Sequence, residues 1–125
     1  MILGTGLDLV EVARIAGLVE RHGERFLQRV FTPAELDYCL PRAARDQHLA
    51  GRFAAKEAVF KALGTGWAED VSWKQIQVLP DKGGAPRAEL SGPAAARLAA
   101  MGGRSVLLSI THAAGCAAAT AIIEG

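Results

Sequence analysis

Cysteine is scarce in this chain, and the little there is excludes two classes of protein. Cys39 and Cys116 are the only two among 125 residues. They stand far apart, with no CxxC or Cys/His spacing, so the sequence encodes neither a disulfide scaffold nor a zinc site. A reduced, cytoplasmic protein is the simplest expectation. An excess of one charge is missing too. Lys and Arg total 14 against 13 Asp and Glu, a formal net charge of +1. That balance gives no reason to expect nucleic acid as a partner and makes any electrostatic message local. Long apolar runs are absent. The N-terminal MILGTGLDLVEV lacks a basic leader and is interrupted by Asp8, so it reads as neither a signal peptide nor a membrane span. What remains is half hydrophobic and 22% charged, the composition of a single globular domain over residues 1–125 able to bury a core.

Periodicity divides the chain into an α-rich first half and a β-rich second half. Residues 2–10 alternate as a strand, with Leu3, Leu7 and Leu9 on one face and Gly4, Gly6 and Asp8 on the other. Glycine weakens a strand unless something must come close, so the second face expects the near approach of another element or a ligand. A helix is expected over 11–29. Thr32, Pro33 and Glu35 then spell a capping box with proline at the first helical position, and Pro41 ends that short helix. A longer helix follows over 45–63, closed by Gly64 in the left-handed conformation. Strands are expected over 72–79 and 87–90 around an Asp81–Lys82–Gly83–Gly84 turn. An alanine-rich helix over 92–101 precedes a hairpin of 105–111 with 116–123. The fold class is therefore α+β: a mainly antiparallel sheet packed with a long central helix.

That central helix, GRFAAKEAVFKALGTG, places a carboxylate in an unusual position. Glu57 lies roughly 40° around the helix from Phe53 and about 60° from Phe60, within the stripe normally turned to the core. Asp8 raises the same question in the first strand. Taken singly, each has a bland reading: Asp8 as a solvated strand end, Glu57 as half of a surface pair with Lys61 at i+4. Taken together, the glycine face of the strand lets Asp8 approach Glu57. Two converging carboxylates then need a proton or a cation between them. Without a His or Cys cluster nearby the cation is a hard one, and Mg²⁺ suits one or two carboxylates with water and phosphate oxygens completing its shell.

A phosphate-bearing substrate follows, and the same stretch offers contacts for it in Arg52, Lys56, Lys61 and the Gly64–Thr65–Gly66 turn. The end of a helix is the wrong end of its dipole for an anion, so the lysines must dominate. His112, after Ser109 and Thr111 at a strand end, reads either as a turn residue or as part of a polar patch; nothing supports a Ser/His/Asp triad. On the first helix Arg14, Arg21, Arg25 and Arg29 fall within a sector of roughly 100°. They form either a solvated basic face or a docking strip for an acidic partner.

The motifs GTGLDLVEVARI, FTPAEL, GRFAAKEAVFKALGTG, GGAP and SITH together resemble the small type of 4′-phosphopantetheinyl transferase, the holo-[acyl-carrier-protein] synthases, almost from end to end. The resemblance implies an Mg²⁺-dependent enzyme that moves the 4′-phosphopantetheine arm of coenzyme A to a serine of apo acyl carrier protein, releasing adenosine 3′,5′-bisphosphate. It implies metal binding by Asp8 and Glu57, with Lys61 beside them in the chemistry. Nucleotide contacts would come from Arg52, Lys61, Gly64, Gly66, Pro86, Ser109 and His112, and carrier-protein contacts from Arg14, Arg21 and Arg25. A homotrimer with shared sites is the implied assembly. Cys116 and Ala113 depart from the family pattern around the SITH turn and affect nucleotide contacts, not the carboxylate pair. Two other classes use the same residues: an Mg²⁺-dependent nucleotide or phosphoester hydrolase, and a non-enzymatic module that docks an acidic protein.

Overall fold

Five strands form one antiparallel sheet in the order β1-β5-β4-β3-β2, and one long helix lies across it. The computed structural model describes residues 1–65 and 70–125. In chain order the elements are β1 Ile2–Glu11, α1 Val12–His22, α2 Glu24–Val30, α3 Pro33–Cys39, α4 Arg45–Leu63, a 3₁₀ turn Trp73–Gln75, β2 Ile76–Pro80, β3 Pro86–Leu90, α5 Gly92–Ala100, β4 Ser105–Ala113 and β5 Cys116–Glu124. The α+β class, the central helix and the β4–β5 hairpin are as expected. The hairpin turns through Ala114 and Gly115 at φ 53° and 75°, the two left-handed residues that a tight two-residue turn requires.

Two expected elements are cut differently. The helix expected over 11–29 is broken at Gly23, which adopts φ 53° and ψ −129°, a conformation closed to residues with a β-carbon. The strand expected from residue 72 begins only at Ile76, because Trp73–Gln75 winds into a 3₁₀ turn that buries the indole. There Trp73 stacks on Phe53 at 4.9 Å between ring centroids and meets Phe60 edge-on at 5.4 Å.

Helix α4 is the centre of the core. From Leu49 to Phe60 every residue except Glu57 is buried. The sheet covers one side, with Ala117, Ala119, Ala121 and Ile123 of β5 facing it. Ile15, Leu27, Val30 and Phe31 of the first two helices and the link that follows them cover the other. Small residues on β5 and α4 allow helix and sheet to sit close. The glycines of β1 allow closer approach still. A β-carbon on Gly6 would lie 1.9 Å from the carbonyl oxygen of Ala58, and one on Gly4 would lie 2.2 Å from that of Ala62. Both offending atoms are helix backbone, which cannot step aside. The close approach foreseen from the strand's glycine face is thus a helix.

On the other face of β1, Leu7 and Leu9 are 63% and 67% exposed, and Leu107 of β4 is 43% exposed. No helix among the described residues is long and apolar enough to cross a membrane.

Replacing Gly6 with Ala therefore forces β1 off α4. Thermal and urea unfolding should show a loss of about 3 kcal/mol, the upper range for overpacking. A variant as stable as the wild type would contradict the packing described.

Candidate active site

The β1–α4 contact decides where the first strand's acid goes. Asp8 pairs across to Ala119 of β5 and shares the inward face with Gly4 and Gly6, so it turns toward the helix. Lys61, on the last turn of α4, reaches back over it. Its Nζ donates to the Leu7 carbonyl oxygen at 2.8 Å and to Asp8 Oδ1 at 3.3 Å. The bland pairing of Lys61 with Glu57 is not what forms; the lysine bonds to β1.

Glu57, one turn earlier on α4, is half-buried beside this pair. Burial holds its pKa above the ordinary carboxylate range, and the Asp8 charge pushes it the same way. Lys61 and Arg14 pull it back in part. Asp8 and Glu57 are thus near enough to repel, as their convergence requires. Among the described residues no group of three or more His, Cys, Asp or Glu side chains gathers anywhere. A two-carboxylate, all-oxygen donor set matches a hard divalent ion that keeps waters or phosphate oxygens in its remaining positions. The residues present fit Mg²⁺.

A second group of sequence-predicted residues collects elsewhere. Arg52 and Glu57, five positions apart, point roughly 140° apart around α4. Arg52 turns toward β2, where its Nε donates to the Val78 carbonyl oxygen at 3.2 Å. Together with Pro86, His112, Tyr38, His48 and Gly84 it lines a cavity of about 190 Å³. His112 packs over Gly51, where a β-carbon would come within 3.1 Å of the imidazole, and its Nε2 donates to the Gln47 carbonyl oxygen at 2.9 Å. The Gly51 of the central motif is therefore a seat for the histidine.

Sequence reasoning missed the other half of this cavity. Tyr38 is flanked by the guanidinium groups of Arg42 and Arg52, at 3.5 and 4.5 Å from its ring centroid, and His48 meets its edge at 5.6 Å. Burial and the charges of Arg52, Arg42 and His112 push the His48 pKa down. The cluster is built to hold negative charge. Its only sequence signal was an aromatic one turn from an arginine, which is too common to interpret alone.

Two expected contacts do not join these groups, and a third lies outside the described residues. Ser109 lies on the outward face of β4 while Ile110 and His112 point inward, because strand side chains alternate; within one chain it does not reach the Arg52 cavity. Lys56 is not a phosphate contact. It is fully buried, 2.6 Å from Glu35. Gly64 caps α4 at φ 71°, as expected of a C-cap, whereas Gly66 lies outside the described residues.

The arginines are exposed but do not share one continuous sector, since the chain breaks at Gly23. Arg14 lies 5.8 Å from the Phe53 ring centroid and within electrostatic reach of Glu57. Arg25 and Arg29 flank a groove of about 300 Å³ floored by Leu18 and Phe26. Both cysteines are free, and burial raises the Cys39 thiol to about 11.

Asp8→Asn removes the like charge facing Glu57. In magnesium-free buffer, carboxyl-carbon NMR should show Glu57 titrating at lower pH than in the wild type. An unchanged or higher titration point would mean that the two groups do not face one another.

Comparison with known proteins finds relatives over the whole length of the chain. Residues 4–111 match the model of the 4′-phosphopantetheinyl transferase superfamily. The chain is 47% identical over 124 residues to the holo-[acyl-carrier-protein] synthase of Koribacter versatilis, covering 99% of both chains. With that of Desulforudis audaxviator it shares 50% over 125 residues, covering 100% of this chain and 95% of the relative. Among solved structures, it is similar to the Neisseria meningitidis holo-[acyl-carrier-protein] synthase, with TM-score 0.90, 36% identity and full coverage of both chains. It is also similar to the Helicobacter pylori enzyme in complex with coenzyme A, with TM-score 0.85, 32% identity, 96% of this chain and 99% of that one.

Proposed function

The chain belongs to the 4′-phosphopantetheinyl transferase superfamily, and from that premise we propose that it transfers the 4′-phosphopantetheine group of coenzyme A to a serine of apo acyl carrier protein. One observation carries the reading: Asp8, Glu57 and Lys61 converge at a single strand–helix contact in a chain that matches holo-[acyl-carrier-protein] synthases over its whole length. The products are holo carrier protein and adenosine 3′,5′-bisphosphate.

The acceptor serine Oγ attacks the phosphorus bearing the pantetheine arm. The new P–O bond forms as the pyrophosphate bridge to the nucleotide breaks, and the bisphosphate leaves with the bond's electrons. Asp8 and Glu57 would hold Mg²⁺, which when bound supplies charge neutralisation at the pyrophosphate oxygens. The protein's own part is positioning and proton transfer. Glu57 takes the serine proton as general base, a role that a carboxylate beside the acceptor can fill. Lys61, anchored on the Leu7 carbonyl, presents its remaining donor capacity to the leaving phosphate. The Arg52–Tyr38–His112 cavity receives the nucleotide. Arg14, with Arg21 and Arg25, meets the acidic carrier protein next to the reacting centre.

Two features support a homotrimer with shared sites. The carboxylates and the nucleotide cavity lie on different sides of α4, and the outward face of the sheet carries exposed Leu7, Leu9 and Leu107. A neighbouring copy would cover the leucines and bring its own half-site. We assign the protein to the cytoplasm, where its two free thiols stay reduced.

Intact-mass measurement of apo carrier protein incubated with this protein, coenzyme A and Mg²⁺ tests the reading. One phosphopantetheine should be added per carrier chain; phosphate release from coenzyme A without carrier protein would indicate a hydrolase instead. Glu57→Gln should cost about 10²-fold or more in turnover, the usual worth of a general base. Arg14→Glu should raise KM for carrier protein about tenfold, a rim-charge effect, and leave that for coenzyme A nearly unchanged.

A further inference from the structure

Among the described residues, the most heavily bonded ion pair lies outside the chemistry just described. Lys56 and Glu35 have fully buried side chains 2.6 Å apart. All three ammonium protons are used: Nζ donates to Glu35 Oε1, to the Val30 carbonyl oxygen at 2.8 Å and to the Trp73 carbonyl oxygen at 3.2 Å. Glu35 Oε1 also accepts from the Thr32 N–H at 2.8 Å, closing the capping box of α3. Its second oxygen does something a cap does not need. Oε2 accepts from the Val78 N–H of β2 at 2.7 Å.

Among the described residues β2 is an edge strand, paired only with β3. At Val78, opposite Ala88, both backbone groups point away from the sheet. An open strand edge leaves such groups unpaired. Here two opposite charges close it: the Glu35 carboxylate on the Val78 N–H and the Arg52 guanidinium on the Val78 carbonyl oxygen at 3.2 Å. Among the described residues, Arg52 is held besides only by the His48 carbonyl oxygen at 3.3 Å and the Tyr38 ring. The strand that Glu35 clips continues through Pro80 into the turn that carries Gly84 and Pro86 to the cavity.

We infer that Glu35 is a positioning residue for coenzyme A: through the Val78 backbone it fixes the Arg52 guanidinium and the β2–β3 wall of the nucleotide cavity. The inference rests on the transfer function proposed above. Buried ion pairs are often replaceable by well-packed apolar residues without loss of stability, so the two charges are not in themselves what the fold requires here. The role belongs to the Oε2 acceptor rather than to the charge, and this makes it separable by mutation.

The test compares two neutral backgrounds. E35Q/K56M keeps an amide oxygen that can accept from Val78 N–H, whereas E35L/K56M removes the acceptor. Coenzyme A affinity by calorimetry, without carrier protein, should be about tenfold weaker in E35L/K56M than in E35Q/K56M. KM for coenzyme A should follow, with kcat and KM for carrier protein within twofold. Arg52→Lys should weaken coenzyme A binding in E35Q/K56M and add little in E35L/K56M. Equal affinity in the two folded variants, or a loss shared equally with carrier protein, overturns the inference. If E35L/K56M does not fold, Glu35→Asp takes its place. It keeps a charge for Lys56 but draws the carboxylate back from Val78, and must show the same coenzyme A-selective loss; undiminished affinity overturns the inference. A wild-type protein that binds coenzyme A in a Glu35-dependent way yet never modifies carrier protein would instead refute the transfer function and leave the positioning role standing.

Discussion

Two glycines of β1 lie almost against the carbonyl groups of α4, and the candidate site exists because of that contact. Space for no more than a hydrogen atom at positions 4 and 6 brings the strand's inward face to the helix. The next inward residue, Asp8, is thereby delivered beside the last turns of α4, where Glu57 and Lys61 project. A strand with ordinary side chains at those positions would stand off from the helix and carry its aspartate away from the glutamate. The acid–acid–lysine grouping is a consequence of backbone packing before it is a matter of side-chain choice.

Electrostatics then sets what the grouping can do. The C-terminal end of α4 contributes negative potential from its carbonyls, and Asp8 adds a charge beside a half-buried Glu57. Left alone, this arrangement favours protons and cations. Lys61 and Arg14 moderate it from two sides, one anchored on β1 and the other reaching in from α1. Under the proposed function, a divalent ion and a diphosphate bound here would neutralise each other and the protein together. The second cluster, around Tyr38 and Arg52, has the opposite bias, with two guanidinium groups and two imidazoles awaiting an anion. One substrate with several phosphates can satisfy both, provided that the two clusters are brought to the same cleft.

Much of this was legible in the residues, for identifiable reasons. The periodicity of α4, the capping box at Thr32 and the glycine face of β1 are local signals, and each produced the structure that its chemistry demands. The break at Gly23 was not legible, because a lone glycine in a helical pattern is usually tolerated and only its backbone angles reveal the kink. Lys56 reads as a phosphate contact in its motif; its burial depends on Glu35, 21 residues away, and no spacing rule connects them. Ser109 enters the nucleotide contacts through the family resemblance, and strand alternation puts it and His112 on opposite faces of β4. Tyr38 and His48 drew no notice, since their significance arises only when α3 and α4 pack. Chemistry carried by one element could be read ahead of the fold, and chemistry assembled from several could not.

The claim on which the account turns is that Asp8 and Glu57 share one divalent ion. Substituting Mn²⁺ for Mg²⁺ in the presence of coenzyme A and following the side-chain carboxyl signals by NMR tests it directly. Paramagnetic broadening of Asp8 and Glu57 together, saturating at one ion per chain, is the result expected. Broadening of one without the other, or of neither while coenzyme A is bound, would contradict it.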